Sequence, residues 1–207
     1  MKFESLRRID RLAVNIICLV PGAVLVFFYL QGRLGPNPIQ ILERRTGDIA
    51  LVLLLLSLVF TPLRVMTGFN RGVKYRRITG LYAFYYGAAH FLIYIGLDYR
   101  LDFSLITLNI LQTQYLWIGG IALIILTSLA ITSTNGWKAR LKRNWKRLHR
   151  LVYPASLLVI LHFALAKKGD LFRLSGEVLY PLIALVVWVI LMLLRLPPIR
   201  KRISRQR

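Results

Sequence analysis

A chain of 207 residues is long enough for one ordinary domain, but 57% of it is hydrophobic, above the roughly 45–50% of a typical soluble protein. Only 18% is charged, and 29 of the 37 charged residues are Lys or Arg, for a net charge of +21. The apolar residues gather into uncharged blocks about as long as a ~30 Å hydrocarbon core requires, which excludes a soluble fold. The basic residues sit in the short links between those blocks, as orientation charge does, and this argues against a nucleic-acid surface.

In chain order the hydropathy predicts six membrane helices at 12–30, 49–63, 78–97, 115–133, 148–166 and 178–196. The second is short on this count and is expected to extend at both ends. The first is too long for a signal-peptide core, and YLQGRLGPNP after it offers no small-x-small cleavage site. The expected fold class is therefore all-α, a polytopic six-helix transmembrane bundle forming one domain over 1–207. No convincing internal repeat or low-complexity tract stands out. The single cysteine, Cys18, rules out an intrachain disulfide and a cysteine-based metal site.

Six spans put both termini on one side. The termini and the links 64–77 and 134–147, with nearby helix ends, hold 22 Lys/Arg, and the other three links hold 7. By the positive-inside rule both termini are cytoplasmic.

Ionisable residues inside a span are functional candidates. His90 lies in the third predicted span and His162 in the fifth, 12 and 14 residues from their inner ends, or about 18 and 21 Å at 1.5 Å per residue. Two imidazoles at matched depth on separate helices can clamp one metal from opposite sides, and a haem iron supplies its other four ligands from the porphyrin. Gly80 and Gly87, two turns apart on one face, offer clearance for a flat macrocycle or for close helix packing. The competing account makes each histidine an interhelical hydrogen-bond donor.

His149 stands 13 residues before His162, about 20 Å along the helix and some 220° round it, so these two cannot share a metal. A second site would want another histidine near the inner end of the third span, where Arg76, Arg77, Ile78 and Thr79 stand instead. His149 is then either a ligand with a non-histidine partner or an interfacial residue of a basic segment.

Three segments in order, GRLGPNPIQILERRTGDIAL, RRITGLYAFYYGAAHFLIY and ITSTNGWKARLKRNWKRLHRLVY, together with His162, carry a resemblance over nearly the whole chain. The sequence resembles the YedZ/MsrQ family, within the ferric-reductase-like transmembrane group. The resemblance implies a multi-pass protein of the bacterial inner membrane with one or two b-type haems. It implies His90 and His162 at haem-iron ligand positions and His149 at a third. It also implies a flavin mononucleotide (FMN), a periplasmic molybdenum-containing partner that reduces methionine sulfoxide in proteins, and electrons from quinone or a cytosolic flavin reductase. The chain departs from relatives with two histidines on each helix at Arg76–Arg77, and it lacks their cytosolic flavin and nicotinamide domain, so substrate reduction falls to a partner.

Two rivals remain open at this stage. An intramembrane hydrolase would need a nucleophile, and Ser57, Ser128 and Ser156 lack a suitable setting. A non-redox six-span transporter or assembly protein would use helices broken at Pro21, Pro154 or Pro181. Arg71, Lys74, Arg76, Arg77, Lys138 and Arg140 could meet a phosphate, and Arg44 and Arg45 could meet haem propionates or a partner. Lipid-facing loop charge explains the first group equally well, and solvated loop charge explains Arg44 and Arg45 better.

Overall fold

The structure is a computed structural model that describes residues 2–70, 72–167, 169–170 and 175–199. Eight α-helices follow in order: α1 Lys2–Leu30, α2 Pro38–Thr67, α3 Gly72–Ile93, α4 Phe103–Gln112, α5 Gln114–Ile131, α6 Asn135–Leu148, α7 Val152–Ala166 and α8 Leu179–Leu193. α3 ends in a π-helical turn, Tyr94–Asp98, and a 3-10 turn, His149–Leu151, leads into α7. A two-residue antiparallel ladder, Gly169 with Gly176 and Asp170 with Ser175, links α7 to α8.

The chain is thus all-helical and membrane-embedded as expected, with differences in the counts. Among the described residues five stretches are long and apolar enough to cross a bilayer: Ile9–Leu30, Pro38–Thr67, Lys74–Asp98, Gln114–Ile131 and Asn135–Ala166. The sixth expected span is the 15-residue α8, about 22 Å at 1.5 Å per residue, shorter than a hydrocarbon core. The second grows at both ends to 30 residues. Its start is set by Pro38 at the first helical position, where a missing N–H breaks no ladder bond. Its end is set by Gly68, whose φ of 72° only glycine adopts freely, with its N–H donated to the Arg64 carbonyl. Two helices were not expected. α4 is capped by the Asp102 carboxylate, which accepts from the Ser104 and Leu105 N–H groups. α6 is capped by the Thr134 hydroxyl.

α2 packs along α3 and α5 packs along α7, and α3 and α5 join these two pairs. One core cluster of Cys18, Leu53, Leu54, Ala83, Tyr86, Leu126, Leu129 and Ala155 draws on α1, α2, α3, α5 and α7. A second, Leu51, Ile160 and Ala184, seats α8 against α2 and α7. α1 presents most of its apolar side chains outward, as a lipid-facing helix does. It is pinned by Tyr86, whose hydroxyl donates to the Cys18 carbonyl and accepts the Gly22 N–H, each at 2.8 Å. Those two groups would otherwise bond each other along α1, so the tyrosine is inserted into the helix ladder.

The prolines interrupt no helix. α1 runs on through Pro21, while Pro154 and Pro181 fall in the first turns of α7 and α8, where a missing N–H is tolerated. Pro62 lies inside α2 and denies the Leu58 carbonyl its ladder partner. Arg195, just beyond α8, donates to that carbonyl and to the Leu191 carbonyl. The broken helices that a transporter would use are therefore not formed at these positions.

Candidate functional site

The bundle has two chemically different ends. α6, the start of α3 and the start of α7 form one end, with Lys74, Arg76, Arg77, Arg150 and the cations of α6. The other end is where α2 and α5 begin and α3 and α7 finish, and it carries Glu43, Asp48, Asp98, Asp102 and Glu177. All three ion pairs among the described residues lie here: Arg44–Glu177 at 3.5 Å, Arg45–Asp48 at 3.9 Å and Lys167–Glu177 at 2.7 Å. The ammonium of Lys167 and the guanidinium of Arg44 hold the Glu177 carboxyl below its ordinary value of 4.5. Arg44 and Arg45 are therefore paired with acids of this chain.

His90 and His162 come together at this acidic end. Their ring centroids are 6.1 Å apart and their planes cross at 83°. Each ring is fixed in the same way from a neighbouring helix. His90 Nδ1 lies 2.8 Å from the Glu43 carbonyl of α2, and His162 Nδ1 lies 2.8 Å from the Tyr115 carbonyl of α5. An acceptor at Nδ1 puts the proton there and leaves each Nε2 with a free lone pair. A glycine one turn past each carbonyl admits the ring. A Cβ at Gly47 would stand 3.2 Å from His90 Nδ1, and a Cβ at Gly119 would stand 2.6 Å from His162 Nδ1. The Tyr115 ring meets the edge of His162 at 5.6 Å.

The two halves are copies of one arrangement. Carbonyl and histidine are separated by 47 residues in both, and one set maps onto the other by a shift of 72. Under that shift GDIALVLL at 47–54 falls on GGIALIIL at 119–126, identical at five of eight positions, and His90–Phe91 falls on His162–Phe163. This corrects the expectation of no internal repeat. The match is too short to stand out against the leucine background until the histidines are aligned. The same shift places His149 on Arg77.

The other expected residues divide. His149 is not brought to the pair. It sits at the basic end, stacked on Trp145 with centroids 4.0 Å apart and planes at 26°. Its Nδ1 is 3.2 Å from the Trp145 carbonyl, and its Nε2 is buried with no hydrogen-bond partner within range among the described residues. Gly80 packs against Ser57, whereas the space beside Gly87 is open. Of the phosphate candidates, Arg76 donates to the Thr61 hydroxyl and Lys138 and Arg140 lie over Trp145 and Trp137. Arg71 lies outside the described residues. The three serines each donate to a carbonyl of their own helix, and Ser156 also accepts the Trp188 indole N–H.

The chain is similar to known proteins over most of its length. The profile of the ferric reductase like transmembrane component matches residues 46–160. A protein-methionine-sulfoxide reductase heme-binding subunit MsrQ from Rhodospirillum rubrum is 41% identical over 199 residues, which is 95% of this chain and 92% of the relative. The subunits of the same description from Xanthomonas axonopodis pv. citri and Xanthomonas campestris pv. campestris are each 44% identical, over about three quarters of either chain. The chain belongs to the MsrQ family, within the ferric-reductase-like transmembrane proteins.

Proposed function

We propose that this protein is a haem-containing electron-transfer subunit of the inner membrane, in which His90 and His162 would together hold the iron of one b-type haem. The observation that carries this is the ring pair itself. Imidazoles on opposite sides of one metal have centroids about 6 Å apart, from two metal–nitrogen bonds of about 2 Å and the ring radii of about 1.1 Å. The observed 6.1 Å fits that spacing. Among the described residues no group of three or more His, Cys, Asp or Glu gathers, so a metal held by these two rings would need further ligands from outside the chain, which a porphyrin would supply. When bound, haem supplies a one-electron carrier within the bilayer.

The chain's own residues hold and orient. The Glu43 and Tyr115 carbonyls keep Nδ1 protonated and both Nε2 atoms unprotonated, so each ring can ligate without losing a proton. The perpendicular ring planes are set by separate helices, α3 and α7, and neither can turn without breaking its Nδ1 bond. Open space beside Gly87 and the close seats at Gly47 and Gly119 give clearance on one side and rigidity on the other.

The relatives' description as heme-binding subunits of a protein-methionine-sulfoxide reductase supports a partner of that activity. On this account the termini and the basic end face the cytoplasm, and the single domain 1–207 delivers electrons at the acidic end to a periplasmic molybdoenzyme that reduces methionine sulfoxide in proteins. The donor is the quinone pool or a cytosolic flavin reductase. FMN and a ligand role for His149, at the basic end, belong to the same account and rest on the family resemblance. The test is reoxidation: protein reduced in nanodiscs is mixed with its methionine sulfoxide reductase and an oxidised protein. Reoxidation of the haem only when both are present supports the function, and a haem band indifferent to them overturns it.

A further inference from the structure

α6 joins α5 to α7 at the end of the bundle remote from His90 and His162, so both of its ends are tied to membrane-crossing helices. Lys138, Arg140, Lys142, Arg143, Lys146 and Arg147 fall within its 14 residues, with no acid among them. Leu141, Trp145 and Leu148 are half-buried along one side, while all six cations are exposed. None of the six is in an ion pair among the described residues. Two of them lie over aromatic faces, Lys138 5.7 Å from the Trp145 centroid and Arg140 5.4 Å from that of Trp137.

Like charges one turn apart on a helix destabilise it, so an external counter-charge favours this segment. Tethering to two spans holds it near the headgroup layer, within reach of a screening length of about 8 Å. Tryptophans also favour that depth. The helix bends at Lys142, whose φ of 46° and ψ of −118° form a strained backbone for a side-chain-bearing residue, maintained where the surroundings impose it.

We propose that α6 docks anionic phospholipid headgroups, and that their binding secures the stacked Trp145–His149 pair at the basic end. Charge complementarity and continuity with the lipid-facing spans select a lipid surface as the occupant. The link to His149 is direct. The Trp145 indole N–H donates to the Thr132 carbonyl at 2.8 Å, its ring stacks on His149, and Lys138 lies on the same ring. This inference does not depend on the haem account.

The experiment is amide hydrogen exchange of residues 135–150 in the full chain, in nanodiscs of phosphatidylcholine with and without phosphatidylglycerol. A basic residue near an anionic surface contributes roughly fivefold to binding. Phosphatidylglycerol should therefore slow exchange from Trp137 to His149 at least tenfold, and about 0.5 M salt should reverse this as the screening length falls to about 4 Å. Free phosphate at matched concentration should not reproduce it. A Lys138→Gln, Arg140→Gln, Lys142→Gln, Arg143→Gln variant, shown to melt as the parent does in phosphatidylcholine, should lose the response. Equal protection of that variant, or protection of the parent that ignores salt, overturns the proposal. Protection by polyglutamate in phosphatidylcholine discs without a phosphatidylglycerol effect also overturns it, in favour of an acidic protein partner.

Discussion

Gly119→Ala tests how His162, the second proposed ligand, is held. The added Cβ would stand 2.6 Å from His162 Nδ1 and 2.8 Å from Cε1. Non-bonded heavy atoms settle at about 3.5–4.0 Å, so the ring must retreat by about 1 Å. That stretches the 2.8 Å contact with the Tyr115 carbonyl to about 3.8 Å, beyond hydrogen-bond range. Loss of the bond is worth about 1 kcal/mol and the overpacking about 1–3 kcal/mol. Losing the outer partner of a metal-bound histidine alone typically weakens binding roughly 10–100-fold. Haem titration of the apo-protein in detergent should therefore show at least a tenfold weaker affinity. Gly47→Ala is the control. Its Cβ would lie 3.2 Å from His90 Nδ1, a contact relieved by a few tenths of an ångström, and its loss should stay within about threefold. Unchanged affinity in Gly119→Ala, or a larger loss in Gly47→Ala, would refute the idea that these glycines seat the rings.

Tyr86→Phe removes the hydroxyl inserted in α1 and should lower thermal stability in detergent by about 1–3 kcal/mol, with the haem spectrum unchanged. Arg195→Met leaves the Leu58 carbonyl without a partner, a loss of about 1–3 kcal/mol. Adding Pro62→Ala, which restores the helical N–H, should recover most of it, and a purely additive double variant would contradict the role given to Arg195. Glu177 titrates below 4.5 in the folded chain, so its ties to Lys167 and Arg44 are complete above that pH and are lost as pH falls through the depressed value. Protection of the amides around Glu177, taken as each exchange rate relative to its intrinsic rate at that pH, should fall on acidification, and Glu177→Gln should remove that dependence.

The spans and the histidine pair were legible because both follow from helical rise and hydropathy. Depths that matched within one turn along the sequence became rings 6.1 Å apart. The seats of those rings were not legible, because an acceptor 47 residues away is a backbone carbonyl that any residue type could supply. Gly47 and Gly119 carried the available signal, but as parts of GDIALVLL and GGIALIIL they read as ordinary membrane glycines. Helices α4 and α6 were missed for a different reason. A window tuned to span length passes over the ten-residue helix FSLITLNILQ, and it treats NGWKARLKRNWKRL only as orientation charge. The shortness of α8 was hidden by apolar residues that continue past the point where its helix stops.

The central claim is the pairing of His90 with His162, and the most direct measurement is the dithionite-reduced minus oxidised visible spectrum of purified single-histidine variants. The account predicts that His90→Ala and His162→Ala each lose most of the same haem signal, whereas His149→Ala retains all or most of it. Equal losses in all three variants, or full haem in either His90→Ala or His162→Ala, would contradict it.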